Sequence, residues 1–417
     1  MKLATLNENQ ILITLIALSL LLLFSSIFGT LLEKIKGPRV VGEILGGMIL
    51  GGSCLFILFP TLMKQIFFAY PEEGQVLNIF YQLGLIFLMF LSGYNTNITI
   101  DKKNIKTIVL VFIGANVLPM IAATPFITLF KDNFIGTAQN DIAFSLVFCI
   151  GIAITSIPVI SKIFFDMGIM NTKFSNTILT VSTFQDLTLW ILLNIATRIA
   201  TTGDIKLLDM ILVVIVTLGL FLIITLITKY VKEIKKKVKT RTIYLISFIL
   251  LLMVCGILSK FGINIMYSAF LVGYLMKAIF GTKKDMKTNI EYLEHFVFTF
   301  FVPIYFALVG IQLNIIHNFN ILRFIIFFII AFGLEFGGTW IMLLFSKLSK
   351  DMKMNFAITM NARGGPGIVL ATVSYASNII NLEFFTVLIL TVMVSSMIAG
   401  YYLRSQQKKN PKIFNQL

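Results

Sequence analysis

Residues 149–165 read CIGIAITSIPVISKIFF, and residues 356–375 read FAITMNARGGPGIVLATVSY. Each is an apolar stretch interrupted by residues that a helix tolerates poorly. Gly151, Thr155, Ser156 and Pro158 interrupt the first; Asn361, Arg363, Gly364, Gly365, Pro366 and Gly367 interrupt the second. Proline removes a backbone donor, and glycine admits nonhelical geometry. At membrane depth such breaks are tolerable only inside protein or beside water. A matched pair in the two halves of a chain is the pattern of membrane proteins whose ion sites form at discontinuous helices. Freed carbonyls there can coordinate a cation while half-helix dipoles tune the site. The plainer alternative is two kinked but ordinary helices.

The rest of the chain supports a membrane setting. Of 417 residues, 58% are hydrophobic and only 13% charged, with a mean hydropathy of +0.93. Soluble domains carry about 25% charged residues. Apolar runs near 20 residues long recur between short charged stretches, enough to cross the roughly 30 Å hydrocarbon core as helices. Barrel-like alternation is absent from them. The sequence therefore predicts an all-α, polytopic membrane protein with about 13 spans: 9–31, 39–61, 76–98, 105–130, 142–165, 174–199, 207–230, 242–259, 261–281, 292–314, 319–346, 354–378 and 382–404. One membrane unit, 1–417, is expected. The first run lacks a small-residue cleavage site and reads as a retained helix. Cys54, Cys149 and Cys255 lie in apolar runs without metal-ligand or disulfide spacing, and no cofactor is expected.

Charge sets the orientation. The net charge is +15, which in a soluble protein would suggest nucleic acid. Here the basic residues sit in loops. With the N-terminus outside, the inside loops and tail hold most of the 34 lysines and arginines, while seven lie outside: Lys2, Lys64, Lys131, Arg198, Lys206, Lys260 and Arg323. That bias predicts an odd number of crossings and a cytoplasmic C-terminus. The stretch 229–241, KYVKEIKKKVKTR, reads as a basic cytoplasmic linker against anionic lipid, not a nucleic-acid site. Residues 405–417 read as a short cytoplasmic tail.

Ionisable groups inside spans are costly and point to function. Asp186 lies deep in NTILTVSTFQDLTLWILLNIA, with Ser182 one turn earlier on the same face and Gln185 adjacent. A lone carboxylate there must face a partner, water or an ion, and it can exchange a proton for a cation. A helix-locking contact is the bland alternative. Glu335, in IIAFGLEFGGTW, suits structural pairing or the ion path. Arg363 suits compensation of broken-helix ends or control of coupling, and the two roles can overlap. Glu43 is placed to pair with Arg39. Asn116 lies near Pro119, where it can satisfy freed helix hydrogen bonds. Glu294 and His295 read as interfacial charges, with pH sensing as the alternative.

Several segments together resemble the bacterial monovalent cation/proton antiporters of the second cation/proton antiporter superfamily. They are GPRVVGEILGGMILG (37–51), LGLIFLMFLSG (83–93), TSIPVISKIF (155–164), FQDL (184–187), FFVPIYFALVGIQL (300–313) and NARGGPGIVLA (361–371). The likeness covers about 9–404. It implies inverted repeats, crossed discontinuous helices, interleaved dimerisation and ion-translocating core subdomains, and a homodimer. By the same resemblance, Asp186 is the ion-binding and proton-exchanging carboxylate, and Thr155 and Ser156, in the first broken helix, are candidate ion-site residues together with Ser182 and Gln185. Arg363 and Asn361 sit at the second break and, with Glu335, are expected to support the broken helix or the coupling. Gln185–Asp186 resembles the pair in potassium-efflux relatives, whose nucleotide-binding regulatory domain has no counterpart in these residues.

The expected activity is exchange of Na⁺ or K⁺ for H⁺ at one shared site in the cell membrane. One-to-one, electroneutral exchange is favoured, because Gln185 cannot carry a second charge and 296–314 holds no lysine or arginine, unlike the equivalent helix of electrogenic relatives. A channel-like potassium conduit, a proton-coupled solute transporter and a nontransport scaffold are the alternatives. An exchanger needs mutually exclusive access, whereas a channel needs a continuous path.

Overall fold

A computed structural model describes residues 5–95, 104–170, 172–202, 240–260, 263, 265–280, 284–313, 315–316, 319–410 and 413–415, with a few single positions between 215 and 226. In chain order the helices are α1 (Glu8–Lys34), α2 (Arg39–Leu50), α3 (Leu55–Leu58), α4 (Pro60–Phe67), α5 (Glu73–Asn95), α6 (Ile105–Phe112), α7 (Leu118–Ala123), α8 (Ile127–Phe134), α9 (Asp141–Ile152), α10 (Ile157–Asp166) and α11 (Lys173–Thr202). After the central segment come α12 (Thr240–Lys260), α13 (Ile265–Phe280), α14 (Lys284–Phe296), α15 (Val302–Gln312), α16 (Ile321–Leu343), α17 (Lys350–Met360), α18 (Gly365–Ala376) and α19 (Leu382–Lys409). Single π turns at Ile113–Val117 and Val297–Phe301 join α6 to α7 and α14 to α15.

The protein is all-α and polytopic. Twelve of the thirteen expected spans coincide with described helices; 207–230 and most of the linker 229–241 lie outside the described residues. Eight helical stretches among those described are long and apolar enough to cross a membrane. The span expected at 39–61 is divided into α2, α3 and α4. Gly51–Cys54 interrupts it, and Ser53 Oγ donates to the Leu313 carbonyl at 2.6 Å.

The chain forms two compact units, each assembled from separated segments. The first comprises Met1–Asn95, Ile224–Ser259 and Ile265–Asn318. Within it, α2 packs on α1 and α15, and α5 packs on α13. Close helix approach depends on missing side chains. A Cβ at Gly93 would overlap the Phe270 carbonyl, and one at Gly273 would overlap the Phe90 carbonyl. Glu43, buried on α2, accepts from Arg39 Nε at 2.9 Å, the partner expected one turn away.

The second unit comprises Thr96–Ile223, Lys260–Asn264 and Phe319–Leu417. Its centre is α11, which packs against α9, α10, α17 and α18. At one end, the α8–α9 and α18–α19 connections form a short antiparallel bridge at Ile135 and Ile380. Gly136 N–H donates to the Ile379 carbonyl at 2.9 Å, and Asn381 N–H donates to the Phe134 carbonyl at 3.0 Å. Stacked Phe134 and Phe384 rings, 4.6 Å apart, seal this joint.

Candidate ion-exchange site

Both predicted breaks are present. Residues 153–156 separate α9 from α10, and 361–364 separate α17 from α18. An interrupted helix leaves donors and acceptors unpaired at its inner ends. Here the two unwound segments satisfy one another. Ser156 N–H donates to the Ala362 carbonyl at 2.8 Å, and the Thr155 hydroxyl donates to the Met360 carbonyl. Gly364 makes the approach possible, because a Cβ there would fall 2.5 Å from Ser156 Oγ. The broken helices therefore meet backbone to backbone.

Arg363 is wholly buried beside this crossing. Its Nη2 donates to the Ile152 carbonyl at 2.7 Å, at the C-terminal end of α9, and to the Ala331 carbonyl at 3.1 Å. The same nitrogen lies 2.8 Å from Glu335 Oε2 on α16. The cation thus sits where the partial negative charge of the α9 terminus is concentrated. Its full charge is balanced by one carboxylate.

Glu335 joins further elements. Its Oε1 lies 3.3 Å from Thr155 Oγ1, and its carboxylate also faces the Gln185 side chain. Gln185 Nε2 donates at 3.0 Å to the Ala115 carbonyl in the first π turn. That carbonyl is available for a sequence reason: its ordinary helical partner would be the amide four residues on, and that residue is Pro119. Ala115 was not among the expected site residues. The signal that could have found it is the proline-minus-four carbonyl, since residue type alone marks nothing at an alanine.

Asp186 lies in α11, 2% exposed, and its Oδ1 has no hydrogen-bond partner. Ser182 Oγ, Gln185 Oε1 and Asn361 Oδ1 are likewise buried without partners. Thr155 and Ser156 differ, because the Thr155 hydroxyl and the Ser156 amide already join the two breaks and Ser156 Oγ accepts from Val159 N–H. The carbonyls of Ile152, Met360 and Ala362 are also engaged by protein donors. The open acceptors of this region are therefore mostly side-chain oxygens. Asp186 is the ionisable group among these four, so its unpaired oxygen can be relieved by a proton or by a cation.

Crossed, broken helices packed on a helix with a buried carboxylate define a secondary transporter, built to expose an ion site alternately to the two sides of a membrane. Residues 19–405 match the family model described as sodium/hydrogen exchanger, transmembrane. The chain belongs to that family; it is a multi-pass membrane transporter and not an enzyme. It is 24% identical to the Na⁺/H⁺ antiporter NhaS4 of Synechocystis over 94% of this chain and 97% of the relative. It is 23% identical to a Na⁺/H⁺ antiporter of Enterococcus hirae, again over 94% and 97%. The solved structure of the sodium proton antiporter MjNhaP1 from Methanocaldococcus jannaschii superposes with a TM-score of 0.67. It matches 98% of this chain and 99% of its own at 16% identity, a likeness of fold.

Proposed function

We propose that this protein exchanges Na⁺ or K⁺ for H⁺ one for one, and that Asp186 is the group for which the two compete. The observation that carries the reading is the buried Asp186 oxygen without a partner, on the helix packed against both broken helices. A bare carboxylate in such a place is costly, and either a proton or a cation relieves the cost. Both cannot occupy it in full. In the inward-facing state Asp186 releases its proton and takes the cation, assisted by Ser182 and Gln185. Movement of the core exposes the site outward, where a proton displaces the cation. Thr155 and Ser156 hold the crossing, and Arg363 with Glu335 supports its charge balance. Gradients set the direction of net flux.

In this reading the segments Thr96–Ile223 and Phe319–Leu417 form the ion-translocating core, while Met1–Asn95 and Ile265–Asn318 belong to the dimerisation part. The protein works as a homodimer in the cell membrane, with its N-terminus outside and its C-terminus in the cytoplasm. Cross-linking in native lipid followed by a mass measurement tests the dimer; a fully active monomer rejects it as a requirement.

The central test is Asp186→Asn, which keeps the shape and removes the reversible charge. Folded variant protein in sealed vesicles is expected to lose cation-dependent proton flux. Undiminished flux with the original ion dependence would reject the assignment. Cation flux without proton movement in the unsubstituted protein would favour a channel-like conduit instead.

A further inference from the structure

We propose that Asn361 contributes a neutral oxygen ligand to the transported cation, an inference that rests on the Asp186 reading above and adds a residue on the opposite side of the crossing. Asn361 is fully buried and stands at the C-terminal end of α17. Its side-chain Nδ2 donates to the Ala357 carbonyl at 3.0 Å. This bond fixes which end of the amide is free. Turned over, Oδ1 would face another acceptor, so the nitrogen must hold the helix side. Oδ1 is then the outward atom, and it has no donor in the protein.

A capping role accounts for the Nδ2 bond and for nothing else. Buried polar atoms normally find partners, and a buried acceptor without one calls for an explanation, an absent water or ion among them. The location narrows what that group is. The next residue, Ala362, receives the Ser156 amide through its carbonyl, and Arg363 N–H donates to the Asn361 carbonyl at 2.9 Å. Asn361 therefore belongs to the segment that meets the first broken helix. Gln185 repeats the arrangement on α11: its nitrogen is held by a helix carbonyl and its oxygen is open. Two amides are thus anchored through nitrogen, on helices that pack together. Each presents the negative end of its dipole without carrying an exchangeable proton. Such oxygens attract a desolvated monovalent cation and leave the number of protons exchanged unchanged. Asn361 accordingly sets cation affinity, while Asp186 sets the coupling.

Two variants separate this role from capping. Asn361→Ser keeps a hydroxyl able to bond the carbonyl four residues back, and it withdraws the projecting oxygen. Asn361→Thr does the same with more of the lost volume filled. Thermal stability of the purified full chain is titrated with Na⁺, and separately with K⁺, at constant ionic strength. Exchange is measured in proteoliposomes with the same ions. The expected result is unchanged stability without transported cation, and a midpoint for cation-induced stabilisation raised roughly tenfold, the equivalent of one modest contact. The half-saturating cation concentration for exchange should rise in parallel, with the rate at saturation retained. A cation midpoint unchanged in a folded variant overturns the proposal, as does failure of both variants to fold, which would assign Asn361 to structure. Asp186→Asn runs alongside. If that variant keeps exchange and cation stabilisation, the Asp186 reading itself fails. If it loses both while Asn361→Ser responds as unsubstituted protein does, only the Asn361 proposal fails.

Discussion

Arg363 carries a full charge at 0% exposure; its side-chain partners gather on Nη2, while Nε and Nη1 are buried without one. Glu335 neutralises it at 2.8 Å, and the Ile152 and Ala331 carbonyls take further hydrogen-bond character. Removing one member of a buried pair leaves the other uncompensated, at a cost of about 3–5 kcal/mol. Arg363→Met and Glu335→Gln should each destabilise the purified protein on that scale. The double variant should lose less than the two singles combined, because no charge is stranded. Thermal unfolding of all three in detergent measures the coupling. Additive losses would show that the pair is not coupled. Much of this cluster was legible beforehand, since Asp186, Glu335 and Arg363 stand out as ionisable groups at membrane depth. Their pairing was not, because Glu335 and Arg363 lie on separate elements and no periodicity joins them. The Ala115 carbonyl was hidden for another reason: a backbone group is identical at every residue. Only Pro119 betrays it.

Helices in this protein are shaped by small local decisions that hydropathy does not register. Both π turns stand just ahead of prolines: Val117 precedes Pro119 by two residues, and Phe301 precedes Pro303 by two. A wide turn relieves the clash that proline makes with the preceding helical turn. The apolar runs gave the spans, yet the pause at Gly51–Cys54 and both π turns were invisible to them. Glycine is more informative where helices touch. Gly93 on α5 and Gly273 on α13 each admit the other helix's backbone. Gly273→Ala should force the two apart and cost about 1–3 kcal/mol, the usual penalty of overpacking. A variant with unaltered thermal stability would mean that the helices separate freely. The tail shows the opposite limit of sequence reading. α19 continues to Lys409, and Gln407 Nε2 donates to the Met167 carbonyl at 2.7 Å. Beyond it, Phe414 is buried with its ring 5.0 Å from Phe174 at the start of α11. Two apolar residues in a charged tail form no pattern, so only the fold reveals the anchor. Phe414→Ala is expected to cost about 3 kcal/mol, as for other buried rings. Limited proteolysis should then cut the tail faster than in the unsubstituted protein, whereas equal rates would show that the anchor contributes little.

On the scale of the whole molecule, the spans counted from sequence make the broken segments the fifth and the twelfth. Six expected spans lie between them, and an even number in between turns the second opposite to the first. That inversion suits the way the breaks meet, with the first donating to the second: Ser156 N–H to the Ala362 carbonyl and the Thr155 hydroxyl to the Met360 carbonyl. The orientation is testable on its own: accessibility tags in 64–75 and 229–241 should report opposite sides, and a common side would remove this topology. Charge balance across the same core leads to the prediction about voltage. Arg363 and Glu335 cancel as a pair. Gln185 and Asn361 are neutral. Segment 296–314 holds no lysine or arginine. The core therefore carries the same net charge with Asp186 protonated as with Asp186 holding Na⁺ or K⁺. On the proposed one-for-one exchange, a full cycle moves one positive charge each way. Membrane potential then does no work on the exchange, whereas a two-proton cycle would gain about 2.3 kcal/mol per 100 mV. In proteoliposomes with Na⁺ and pH gradients fixed and the potential varied, the reversal point of Na⁺ flux should stay where the two chemical gradients balance. A reversal point that moves with voltage would require a second charge in the cycle, and Glu335 or Arg363 would be the first residue to suspect.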